Sequence, residues 1–193
     1  IDGHVFVCPD VSGSMQSPVT GWRQGATSAV KCVDVAALFA AALVRHNPRA
    51  GVIPFEHGCV PVELEPRDTV MTNARKLASI GGGGTNVSAP LAKLNAEQRK
   101  VDLVVIVSDN QSWVDARRHG ATETMRQWNQ LKSRNPKARL VCVDVQPYGH
   151  SQAPDSPDIL NVGGFSDQVF DVVSAFAQGA DGAQHWVDVI RGQ

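Results

Sequence analysis

The residues best suited to chemistry in this chain are oxygen donors. Asp10, Ser12 and Ser14 alternate in Asp10-Val11-Ser12-Gly13-Ser14-Met15. In an extended or turning backbone alternate side chains project the same way, so the three can converge on one point while Gly13 lets the turn tighten. Asp109 follows an apolar run in Ser108-Asp109-Asn110, and Thr85 follows four glycines in Gly81-Gly82-Gly83-Gly84-Thr85-Asn86. Those glycines can bring Thr85 and backbone amides close to a bound group before a helix starts near Asn86 or Ser88. Gathered together, two carboxylates and three hydroxyls without His or Cys suit a small hard cation. Magnesium prefers near-octahedral geometry at ~2.0 to 2.1 Å, takes few carboxylates, and keeps waters that a partner's carboxylate can replace; manganese fits the same chemistry.

Bringing these segments together requires a particular scaffold. Segments 4–10 and 101–109 are short apolar runs ending in a carboxylate and read as buried central strands; 139–145 is a third. Segments 50–55 and 59–64, separated by Glu56-His57-Gly58, read as a hairpin with one antiparallel edge strand, and 159–162 as a short final strand. Helical spacing marks 27–46, where Val30, Val33, Ala37, Ala40, Ala41 and Val44 line one face, and the shorter segments 68–80, 88–99, 122–135 and 167–178; a last helix is read at 184–190. The alternation gives an α/β fold, a doubly wound and mostly parallel Rossmann-like sheet with helices on both faces. Ligands of such sheets gather outside the carboxyl ends of the strands, where strand order reverses. The strands ending in Asp10 and Asp109 are expected to be neighbours there, bordered by the turn-rich segment 146–157.

Asp10-x-Ser12-x-Ser14, Thr85 after a glycine loop and Asp109 after an apolar strand, in that order, resemble the metal-ion-dependent adhesion site of von Willebrand factor A-type (vWA) domains. The resemblance implies that Ser12, Ser14 and Thr85 bind magnesium or manganese directly. Asp10 and Asp109 would act directly or through water, and a protein ligand would supply a carboxylate as the last donor. Asn110 departs from the glycine of many members. A narrower resemblance, carried by Val107 to Ser112, Val143 to Gly149 and above all Ile159-Leu160-Asn161-Val162-Gly163-Gly164-Phe165-Ser166-Asp167, is to the carboxyl-terminal vWA domain of the Ro ribonucleoprotein (TROVE) family. That resemblance implies a parent protein whose ring of helical repeats, outside this chain, binds small noncoding Y RNAs and the ends of misfolded RNAs. Weak or no direct RNA binding is then expected of this domain.

Other readings of the same residues are less economical. Asp-x-Ser-x-Ser alone also caps helices, but capping does not account for Thr85 and Asp109. No lysine follows the glycines as a phosphate-binding P-loop requires. A metal-dependent hydrolase or phosphotransferase with Asp10 as nucleophile would want a second acid where Ser12 stands and a lysine beyond the middle strands, so a noncatalytic module is the leading reading. A general vWA interaction domain outside the Ro family is the other alternative. Basic residues recur at Arg45 and Arg49, at Arg117, Arg118 and His119, and from Arg126 through Lys132, Arg134 and Lys137 to Arg139. They are solvated faces or, as the sharper alternative, phosphate contacts. Trp113 covers a core edge or, if exposed, stacks on a base or anchors a partner.

Composition bounds the rest. With 193 residues, 42% of them hydrophobic, the chain buries a core without disulfides or structural metal, and one domain over 1–193 is expected. Its 18 basic against 19 acidic side chains remove any generic drive toward nucleic acid or anionic membrane. The longest apolar stretch, 33–44, falls short of the ~20 residues a bilayer needs. An opening at Ile1 without methionine reads as a domain excised from a longer protein. Cys8, Cys32, Cys59 and Cys142 lack metal-site spacing and read as buried free thiols, which suggests a reducing, cytoplasmic setting. A monomer is expected.

Overall fold

The computed structural model describes residues 1, 3–20, 29–47, 49–109, 123–146 and 156–179. Five strands form one sheet: β1 (Val5–Pro9), β2 (Gly51–Val52), β3 (Leu103–Ser108), β4 (Arg139–Asp144) and β5 (Ile159–Gly163), in the order β2-β1-β3-β4-β5. Every pairing is parallel, with Phe6 opposite Gly51, Val7 opposite Val105, Val105 opposite Val141 and Cys142 opposite Asn161. Among the described residues five helices cover it: α1 (Cys32–His46), α2 (Val70–Ala78), α3 (Ala89–Ala96), α4 (Glu123–Arg134) and α5 (Gln168–Ala177).

The two-residue period of the strands divides the core. Val5 and Val7 of β1, Val105 and Val107 of β3 and Val141 and Val143 of β4 pack against α1, α2 and α5. The intervening Phe6, Cys8, Val104, Ile106, Leu140 and Cys142 pack on the other face against Leu91 and Leu94 of α3 and Trp128 and Leu131 of α4. Helix α1 is rich in small residues and lies flat on the sheet: Ala36, Ala37, Phe39, Ala40 and Ala41 are buried. Phe39 stacks on Phe170 of α5 with centroids 4.6 Å apart and meets Phe165 edge-on at 6.0 Å. Phe165 belongs to the run that carried the Ro resemblance, and its role is to lock α5 onto α1.

Three expectations need correction. The antiparallel edge strand is absent from 50–69: β2 runs parallel to β1, and only the single bridge Phe55–Cys59 is antiparallel there. Pro54 and Pro61 have no N–H to donate to a ladder, and Phe55 gives its own backbone groups to the β1 side, accepting from Val11 N at 2.9 Å and donating to Pro9 O at 3.1 Å. Helix α1 begins at Cys32 because the residues before it are held extended, with Val19 N donating to Val30 O and Cys32 N to Ser17 O; Val30 is exposed instead of facing the core. Cys8, Cys32 and Cys142 are buried free thiols, whereas Cys59 is partly exposed. Burial pushes the Cys142 thiol up to about 12. Asn110, Trp113, Arg117, Arg118, His119, most of 146–157 and the helix read at 184–190 lie outside the described residues.

Candidate metal centre

The chain leaves β1 toward β2 on one side, through α1, and later enters β3 on the other, so strand order reverses between β1 and β3. Asp10 and Asp109 emerge side by side at the carboxyl end of that pair, with Asp10 N bonded to Val107 O at 2.8 Å. Both aspartates and Ser12 are fully buried. The Asp10 carboxylate closes a local turn by accepting from Ser12 N at 2.9 Å. Ser12 Oγ lies 3.1 Å from Ser14 Oγ, so the alternate side chains of the motif do meet. A 3-10 turn, Gly13–Gln16, then carries the chain away, and Ser14 is half-buried.

The glycine loop docks directly on this turn. Gly13 N donates to Gly83 O and Gly82 N to Val11 O, each at 2.8 Å. Gly81 has φ +85°, and a Cβ there would stand 2.3 Å from Val11 O, so only glycine permits this approach. Half-buried Thr85 follows, and Asn86 closes a turn at the entry to α3 by accepting from Ser88 N at 3.1 Å and Ser88 Oγ at 2.7 Å. Among the described residues no hydrogen bond joins the Thr85 side chain to Asp10, Ser12 or Ser14; the bonds that dock the loop are made by Gly82 and Gly83, two and three residues before it.

Two further residues belong to the arrangement. Ser108 Oγ donates to Asp10 Oδ2 at 2.7 Å. Glu56 Oε2 accepts from Gly83 N at 2.7 Å, while its other oxygen lies 3.0 Å from His57 Nδ1. Ser108 had a signal, the polar end of an apolar strand. Glu56 had none, because it sits in an ordinary turn 27 residues from its partner.

Electrostatically the centre holds buried negative charge. Burial raises the Asp10 carboxyl to about 6, the bonds from Ser12 and Ser108 oppose that rise, and neighbouring Asp109 adds to it. None of the described ion pairs reaches Asp10. A hard divalent cation would offset this charge, and the oxygen set of Asp10, Ser12, Ser14, Thr85 and Asp109 could hold one. Among the described residues no three His, Cys, Asp or Glu side chains group for a metal, so hydroxyls would have to supply much of the coordination.

A parallel doubly wound sheet bearing an Asp-x-Ser-x-Ser turn after its first strand defines a vWA-like domain. Residues 4–177 match the family model for the Ro60 vWA domain, and the chain belongs to that family. It is 30% identical over 170 residues to the RNA-binding protein RO60 of Deinococcus radiodurans, covering 88% of this chain and 31% of that protein. The crystal structure of the Deinococcus radiodurans RO (RSR) protein is similar with a TM-score of 0.72 at 26% identity, covering 92% of this chain and 34% of that one. The chain therefore spans about a third of the length of these relatives.

Proposed function

We propose that this domain is a noncatalytic module that binds a protein partner through magnesium or manganese. Ser12, Ser14 and Thr85 would hold the cation, Asp10 and Asp109 would bind it directly or through water, and a carboxylate of the partner would complete its coordination. The carrying observation is the buried Asp10 carboxylate, joined by hydrogen bonds to Ser12 and Ser108 beside a second buried carboxylate, with the Oγ of half-buried Ser14 3.1 Å from Ser12 Oγ. Burying two acids together is costly without a compensating cation. The setting would be a cytoplasmic Ro-type particle, in which the rest of the parent protein takes up small noncoding and misfolded RNA while this domain, a monomer, recruits protein.

Calorimetric titration of the chain with manganese tests the reading. One site should be filled, with Asp10→Ala or Ser14→Ala weakening it at least tenfold and an anomalous signal in soaked crystals bounded by Ser12, Ser14 and Thr85. A cation bound elsewhere sinks the assignment. Metal-dependent phosphatase or nuclease turnover that is lost in Ser14→Ala would replace the noncatalytic reading with an enzymatic one.

A further inference from the structure

The basic run singled out in the sequence divides once its side chains are placed. Arg126 is held by Glu123 at 2.6 Å, Lys132 by Asp158 at 3.3 Å, and Arg139 lies over the Phe176 ring at 5.0 Å. Arg134 and Lys137 remain, and the structure brings them beside Lys100 and Arg99 from the connection entering β3, Arg99 lying over the Phe6 ring at 5.4 Å but, unlike Arg139, lining the same cleft. Together they line an open cleft of about 650 Å³ at the amino end of the sheet, the end opposite Asp10 and Asp109. Lys100 and Lys137 form no ion pair with any described residue. The single carboxylate of the lining, Asp102, is bonded by His4, whose N and Nδ1 lie 2.7 and 3.1 Å from its Oδ2, and it also attracts Lys100, so one negative charge stands against four positive ones.

The walls of this cleft are fixed to each other. Asn135 Oδ1 accepts from Val101 N at 3.0 Å, Asn135 Nδ2 donates to Leu131 O at 3.1 Å, and Arg139 N donates to Asp102 O at 3.0 Å. Arg134 is itself tethered, giving one NH to Asn95 Oδ1 at 2.8 Å and keeping the rest of its five donors. A preorganised cationic cleft loses little entropy when it captures an anion. Of its apolar lining Val101 and Ala138 are buried and Pro136 is exposed, while the exposed large apolar side chains of the described residues, Val30, Leu38 and Met71, lie elsewhere. A polypeptide would find no large hydrophobic anchor here beyond Pro136, whereas a phosphodiester chain draws most of its sequence-independent affinity from charge.

We propose that the cleft formed by Arg99, Lys100, Arg134 and Lys137 binds the phosphate backbone of a single RNA strand. This gives the domain an RNA contact of its own, beyond the function proposed above; only the choice of RNA over DNA rests on that reading, and the contact needs no cation.

Fluorescence anisotropy of a labelled 20-nucleotide single-stranded RNA with the 193-residue chain, at 50 and 200 mM KCl with and without EDTA, tests it. Four phosphate contacts on a single strand give a log–log salt slope of about −2.8, so affinity should fall roughly 50-fold between the two salts and be indifferent to EDTA. Lys100→Glu with Lys137→Glu, checked for native circular dichroism, should weaken binding at least tenfold at 50 mM and halve the slope. Lys100→Gln with Lys137→Gln should fall between. No binding at 50 mM overturns the proposal, as does binding that survives these changes or is lost only with Arg117→Glu and Arg118→Glu. Displacement of the RNA by polyglutamate at equal charge concentration would overturn it in favour of an acidic peptide. None of these results bears on manganese titration, so the two proposals fail separately.

Discussion

Ser108 Oγ and Asp10 Oδ2, 98 residues apart in the chain, meet at 2.7 Å and tie the carboxyl ends of β3 and β1 together through buried side chains. Ser108→Ala leaves that oxygen without its donor where water does not reach. The loss expected for a bond to a charged group is about 1.5 to 3 kcal/mol, read from urea unfolding at pH 7. An unchanged midpoint would mean that Asp10 finds another donor.

The raised Asp10 carboxyl gives the metal-free domain a characteristic pH response. A folded-state value of about 6 against 3.8 for the free side chain means that the fold favours the protonated acid. The corresponding stability is fully present below pH ~3.8 and is lost as pH rises to ~6, by up to about 3 kcal/mol. Asp10→Asn should flatten this part of the stability–pH profile. Cation affinity should move the other way, since the cation competes with the proton, and rise as pH climbs through ~6.

Gly81 and Gly84 make an internal control. Alanine at 81 must adopt φ +85° and collide with Val11 O, so Gly81→Ala should cost at least about 2 kcal/mol and abolish high-affinity cation binding. A Cβ at Gly84 meets nothing within 4 Å, and Gly84→Ala should stay within about 0.5 kcal/mol of wild type by thermal or urea unfolding.

Glu56 holds the glycine loop by its bond from Gly83 N. Glu56→Ala removes the acceptor of Gly83 N, with an expected loss of about 1 kcal/mol and a several-fold weaker manganese affinity as Thr85 loses its fixed position. Glu56→Gln keeps an acceptor oxygen and should recover most of both, which separates loop positioning from any effect of the negative charge. Calorimetric titration of the two variants side by side reads the difference.

What could be read in advance follows from the range over which each signal acts. β1, β3 and β4 were legible because strands buried on both faces are uninterrupted apolar runs, and the Asp10–Ser14 turn because its geometry is settled within five residues. The hairpin at Glu56-His57-Gly58 was misleading. A short turn between two apolar segments is a local pattern, while the pairing that prevailed joins Phe55 to Asp10, with prolines removing the donors of the alternative. The start of α1 failed for the same reason, since the helical period continues through Val30 although the backbone there is committed to residues 17–19. Ser108 and Glu56 act across 98 and 27 residues, and no spacing rule could have paired them with Asp10 or Gly83.

The parallel register of β1 and β3 also fixes how far apart the two ends of the domain lie. The six residues of β3 span about 20 Å, more than twice the ~8 Å over which charges are felt in physiological salt. The short stiff strands between the two poles work as a spacer that keeps their surfaces apart. On the two proposals made above, a protein held at one pole and an RNA strand at the other would not exclude each other.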